Sequence, residues 1–136
     1  MPFMSLYHTV TCRAGDARIP AMVLYDWATM PVEELNPQIA RRAIHTASMT
    51  IARLFLKKGA VVPEHSHVNE QVAFVERGAL KFFLEGGEHV IRAGQTLVIP
   101  SGVPHKVEVL EDSEVTDTFS PVREDWLRGD DAYLRR

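Results

Sequence analysis

From Ile39 onward the chain alternates short runs rich in apolar and β-branched residues with glycine, proline and charge clusters. The runs are Ala40–His45, Thr50–Lys57, Gln71–Glu76, Ala79–Leu84, Glu88–Arg92, Gln95–Ile99, Lys106–Leu110 and Val115–Ser120. Between them stand Lys58-Gly59, Arg77-Gly78, Gly86-Gly87, Ala93-Gly94, Ser101-Gly102 and Asp112-Ser113. Glu85-Gly-Gly-Glu88 is a two-glycine hairpin signal, because tight primed turns need positive φ. Short strands with regular turn punctuation and almost no helical periodicity predict an all-β sandwich or barrel. Only Arg123–Leu134 reads as helix or coil.

The first 38 residues have a different texture. Tyr7–Val10 and Met22–Tyr25 read as short strands. Thr29–Pro37 reads as a loop with one helical turn, Thr29 as its cap and Pro31 and Glu33 in its first turn. Residues 1–38 are therefore read as an N-terminal extension and residues 39–136 as a barrel, with a single domain overall. Length agrees, since 136 residues suit one compact domain. A hydrophobic content of 46% and a charged content of 24% are those of an ordinary globular protein. No apolar run approaches the roughly 20 residues of a membrane helix. The net charge of −3, with no basic run longer than two, argues against a nucleic-acid partner. Cys12 is the single cysteine, so no internal disulfide is available, and nothing near it in sequence would activate it. With no basic-then-apolar start to suggest a leader, a reducing cytoplasm is expected.

Of six histidines, three carry chemistry by their arrangement. His65-Ser-His67 places two imidazoles two residues apart, on one face if the segment is a strand. Gln71 keeps the same parity four residues on, and His105 follows a Pro-Ser-Gly-Val-Pro turn. Three imidazoles with one oxygen donor suit a divalent transition metal with open positions. Glu70, of opposite parity, is the alternative fourth donor or a supporting group. His45 reads as a core or barrel-lining residue and His89 as exposed.

The spacing adds a resemblance. Gly59 is followed by five residues, His65-Ser-His67, three residues, Gln71, six residues and Gly78. Later, Gly94 is followed by five residues, Pro100-Ser-Gly102, two residues and His105. In order and spacing these resemble the two signature motifs of the cupin superfamily, over roughly residues 39–123. The first motif usually has Glu where this chain has Gln71, and the second often ends in Asn where it has Val109. The resemblance implies a double-stranded β-helix, the jelly-roll cupin barrel, with a metal near one mouth. A neutral Gln71 in place of Glu would leave that metal with one less negative charge and more electrophilic.

Downstream, Asp117-Thr-Phe119-Ser-Pro121-Val-Arg123-Glu-Asp-Trp-Leu127 resembles the closing segment of a small cupin subfamily. Those proteins open unsaturated uronates to their linear keto form in pectin and alginate breakdown. The resemblance implies Asp117 and Arg123 as catalytic residues and Phe119 and Arg123 as substrate contacts. Arg123 would grip a carboxylate in a bidentate fork. Plainer roles for these residues are a strand-bracing pair of Asp117 with an arginine, a salt bridge of Arg123 at a helix start, and core packing of Phe119.

The sequence thus points to a metal-dependent isomerase- or lyase-type enzyme for a small carboxylate-bearing substrate, first of all an unsaturated uronate. Manganese, iron, nickel and zinc all suit the ligand types. Alternatives are a non-haem dioxygenase, a small-acid lyase, or a non-enzymatic binding or sensor module. Small cupins commonly associate as homodimers, so a homodimer is expected, without a nucleic-acid or membrane partner.

Overall fold

The computed structural model describes residues 7–10 and 22–136; Cys12 lies outside them. The chain divides into two compact units, residues 1–32 and 33–136. In the first, β1 (Tyr7–Val10) and β2 (Met22–Tyr25) pair antiparallel. A turn follows in which Thr29 donates to the Asp26 carbonyl and the Asp26 carboxylate accepts from the Ala28 N–H.

The second unit is a pair of antiparallel sheets. In chain order its strands are β3 (Glu33–Asn36), β4 (Ile39–His45), β5 (Thr50–Leu56), β6 (Val61–His65), β7 (Glu70–Arg77), β8 (Ala79–Leu84), β9 (Gly87–Arg92), β10 (Thr96–Ile99), β11 (His105–Val109) and β12 (Ser113–Ser120). One sheet has the order β10-β7-β12-β5-β4-β3 and the other β6-β11-β8-β9. This is the expected all-β barrel.

Two strands depart from the sequence expectation. Glu33–Asn36 is not a helical turn. Its backbone finds ladder partners on β4, and the Asn36 side chain turns the chain by accepting from Gln38 N. It joins the large sheet ahead of the boundary read after residue 38. Val61–His65 is also a strand, although Pro63 interrupts its apolar pattern. Proline is tolerated because β6 lies at the edge of its sheet.

Alternation places the core. Ala52, Leu54 and Leu56 of β5, Ala73 and Val75 of β7, Leu80 and Phe82 of β8, Val107 and Val109 of β11, and Val115 and Phe119 of β12 all point inward and are buried. The inward rows end in polar groups at Thr50 on β5, Gln71 on β7 and His105 on β11, and Asp117 on β12 lies one layer deeper, between Val115 and Phe119 and level with Ala52 and Ala73. The barrel therefore has a polar mouth built on an apolar floor.

After β12 the chain forms the short helix α1 (Glu124–Arg128), ended by Gly129 in the left-handed conformation, and a 3-10 turn at Ala132–Leu134. This tail is clasped to β3 and β4. Arg41 Nη2 donates to the buried Asp131 carboxylate at 2.6 Å, and Asn36 Nδ2 donates to the Leu134 carbonyl at 3.0 Å.

Gly78, between β7 and β8, has φ of 92°, and a Cβ there would collide with Ser113 Oγ and the Asp112 carbonyl. Both the left-handed backbone and the close approach demand glycine. Gly78→Ala is expected to lose roughly 2 kcal/mol or more in urea unfolding; an unchanged midpoint would contradict this packing.

Candidate metal centre

His65 ends β6 and His105 opens β11, and the two are direct cross-strand partners. Their ring centroids are 4.3 Å apart. His67 lies beyond the strand, in the loop leading to β7, so the expected strand parity is not what aims it. The loop is tied instead by Gly102 N–H donating to the His67 carbonyl at 2.8 Å. His67 then comes within 5.7 Å of His65 and 5.1 Å of His105 between ring centroids.

Each imidazole uses Nδ1 on a backbone carbonyl two residues away. His65 bonds Pro63 O at 2.8 Å, His67 bonds Asn69 O at 2.9 Å and His105 bonds Val103 O at 2.9 Å. A carbonyl only accepts, so each Nδ1 carries the proton and each Nε2 is left with a lone pair. One ring nitrogen from each residue falls in a group spanning no more than 4.8 Å. Burial, more than any other influence, lowers all three pKa values, His65 to about 4, so the rings are neutral near pH 7.

Gln71 points inward beside them, while Glu70 is exposed on the opposite face of β7. Gln71 Oε1 lies 3.1 Å from His67 Nε2. With the proton of His67 on Nδ1, these are two acceptors facing each other, an arrangement that a cation between them would satisfy. The donor set therefore fits a divalent transition metal held by His65, His67, His105 and Gln71.

The amide of Gln71 also donates to Asp117. Asp117 sits in register with Ala52 on β5 and Ala73 on β7, both fully buried, and these small neighbours leave room beside its carboxyl. Its Oδ1 is shielded from solvent and has no hydrogen-bond partner. Burial pushes this carboxyl up to about 7, against the Gln71 bond and the charge of Arg123. A cavity of about 50 Å³ opens at this point, walled by His65, Gln71, His105, Asp117, Phe119 and Arg123. That is room for a few waters or the reacting edge of a ligand. His67 borders a separate groove of about 330 Å³ that also touches Asn69, Asp125 and Arg128.

Arg123 is buried, and it departs from the expected free carboxylate fork. Its Nε and Nη2 are taken by Asp125 at 2.9 and 2.8 Å, and Nη2 also reaches the Tyr133 hydroxyl at 2.7 Å. Asp125, two residues on at the helix start, competes better than a distant group, and Asp117 is left without the arginine. The guanidinium lies 4.6 Å from the ring centroids of both Phe119 and Trp126, which meet each other edge to face. Its backbone N–H is held by Thr50 Oγ1, which also contacts His45 Nδ1 at 2.8 Å. Phe119 packs edge-on to His67 at 5.5 Å. His89 is exposed, as expected.

Sequence reasoning missed Tyr133, which stacks on His65, and Thr50. Tyr133 lies 68 residues from His65, and no local pattern announces so distant a contact. A salt bridge of Arg123 at a helix start was among its expected roles, and Asp125 is the partner.

A two-sheet barrel with a histidine cluster at one mouth has the architecture of a small single-domain cupin, and comparison with known proteins agrees. Residues 52–117 match the family model for the cupin domain. The chain is 32% identical over 100 residues to the pectin degradation protein KdgF of Dickeya dadantii (strain 3937), spanning 71% of this chain and 91% of that one. Its fold matches KdgF from Halomonas sp. with a TM-score of 0.70 at 31% identity, covering 74% of this chain and 96% of that one. It matches an RmlC-like cupin from Shewanella frigidimarina with a TM-score of 0.70 at 25% identity, covering 74% and 92%. The chain belongs to the cupin family.

The site titrates in opposing directions. Between pH 6.5 and about 4 the unfolded chain protonates His65 and the folded chain does not, so acid favours unfolding. Between pH 3.8 and about 7 the folded chain holds a proton on Asp117 that the unfolded chain lacks, so base favours unfolding. In metal-free protein the Asp117 slope opposes that of the histidines. Asp117→Asn removes the Asp117 slope. The variant should lose about 2 kcal/mol more than wild type between pH 6.5 and 4.5 in urea melts; identical slopes would contradict the raised Asp117 pKa.

Proposed function

We propose that this chain is a metal-dependent cupin enzyme that opens an unsaturated uronate to its linear keto form. The observation that carries the reading is the Asp117 carboxyl, buried beside the histidine cluster with one oxygen unpartnered and a pKa near neutrality. The relationship to KdgF, a pectin degradation protein, supports the substrate class.

His65, His67, His105 and Gln71 would hold the metal. When bound, a divalent transition metal supplies Lewis-acid polarisation and a template for the substrate oxygens. The cavity walled by Asp117 and the histidines receives the reacting edge of the sugar. Asp117 takes the proton of the anomeric hydroxyl as the bond between C1 and the ring oxygen breaks and the C1 carbonyl forms. The electron pair moves through the ring oxygen and C5, and C4 gains a proton. The reaction is an isomerisation, so one carboxyl that titrates near pH 7 can both accept and return that proton. Arg123 contributes its charge and the Nη1 left outside its bonds to Asp125 and Tyr133, which suits a substrate carboxylate. Phe119 forms an apolar wall that also keeps His67 in place.

The relationship to KdgF, a pectin degradation protein, ranks the dioxygenase reading below ring opening. The protein is also read as a homodimer. Phe74 on β7 and Val98 on the neighbouring β10 leave apolar surface on the outer face of the large sheet, which a second copy would cover.

The test is the ultraviolet absorbance of a 4,5-unsaturated uronate incubated with metal-loaded protein. Wild type should abolish it without consuming oxygen. Asp117→Asn should lower kcat on the order of 10²-fold or more while KM changes little. Oxygen uptake with substrate, or an Asp117→Asn variant as fast as wild type, would overturn the proposal.

A further inference from the structure

One residue of the C-terminal turn touches both parts of the site. The Tyr133 ring stacks on the His65 imidazole, 4.5 Å between centroids and 28° between planes. Its hydroxyl accepts from Arg123 Nη2 at 2.7 Å and from Trp126 Nε1 at 3.4 Å. The turn is anchored by groups that belong to neither contact. Asp131 is fully buried and accepts from Arg41 and Arg135, and Asn36 donates to the Leu134 carbonyl. Tyr133 is therefore delivered to the site by the clasp on β3 and β4.

The two contacts do different things. A single hydrogen bond at Nδ1 fixes the tautomer of His65 but leaves the ring free to tilt about that bond. A stacked aromatic face restricts the tilt. The hydroxyl is a second acceptor for Arg123 Nη2, whose other partner is Asp125. It gives that nitrogen an anchor outside the helix start.

We propose that Tyr133 is a positioning residue with separable roles: its ring sets the plane of His65, and its hydroxyl sets Arg123. The inference rests on the reading of His65 as a metal ligand and of Arg123 as a substrate contact.

The experiment compares full-length wild type, Tyr133→Phe and Tyr133→Leu. Mn(II), Ni(II) and Zn(II) are titrated separately into metal-free protein, and steady-state kinetics are measured on the unsaturated uronate. Tyr133→Phe keeps the ring, so its metal Kd should stay within twofold of wild type while KM rises at least fivefold. Tyr133→Leu loses both contacts, so its metal Kd should rise tenfold or more as well. Should the leucine variant unfold, the phenylalanine variant decides by its split between metal affinity and KM. Wild-type affinity and KM in Tyr133→Phe together with wild-type affinity in a folded Tyr133→Leu would overturn the inference and leave the metal reading intact. A parallel loss of affinity and KM in Tyr133→Phe would also overturn it, since that is what a merely structural residue gives. Wild type that takes none of the three ions would overturn the metal reading and this inference with it.

Discussion

Three backbone carbonyls decide what the mouth of this barrel can do. By accepting from the Nδ1 atoms of His65, His67 and His105, they leave Nε2 as the nitrogen with a lone pair on every ring. The imidazoles are thereby oriented before any ligand arrives, and burial keeps them uncharged. Without those bonds the rings could adopt either tautomer, and their convergence would lose its chemical meaning. Each carbonyl lies only two residues from its histidine, so the orientation is local and is inherited from the strand end at Pro63 and the loops at Asn69 and Val103.

The barrel supplies the remaining conditions by simple alternation. Inward rows that are apolar along most of each strand end in Thr50, Gln71 and His105, and Asp117 lies one layer below them, so the polar groups gather toward one end of the core. Ala52 and Ala73 flank Asp117 where larger side chains would fill the space. The carboxyl is thus desolvated without being fully hydrogen-bonded, and this pushes its pKa up. Gln71 links the two halves, with its oxygen beside His67 and its amide on Asp117. A glutamate there would have set a second negative charge against Asp117, which an amide avoids.

Most strands were legible because their turns are marked by glycine and their faces alternate. Val61–His65 was hidden by Pro63 and Glu33–Asn36 by its charges, since pairing at a sheet edge depends on partners that lie elsewhere in the chain. The spacing of His65, His67, Gln71 and His105 named residues that the fold does bring together. The reason given for His67, strand parity, was not the operative one; a loop tied to Gly102 aims it. Asp117 and Phe119 share the inward face that their alternation indicated. Arg123 differed because Asp125 occupies its fork. Tyr133 and Thr50 act through contacts between distant parts of the chain, and no local pattern carries that information.

The central claim is that the three oriented imidazoles hold a metal. Metal content of the purified protein by plasma mass spectrometry, for wild type and His105→Ala at matched concentration, tests it most directly. The account predicts close to one divalent transition-metal ion per wild-type chain and a loss of most of it in His105→Ala. No metal in either protein, even after reconstitution with Mn(II), Fe(II), Ni(II) or Zn(II), or equal metal in both, would contradict it.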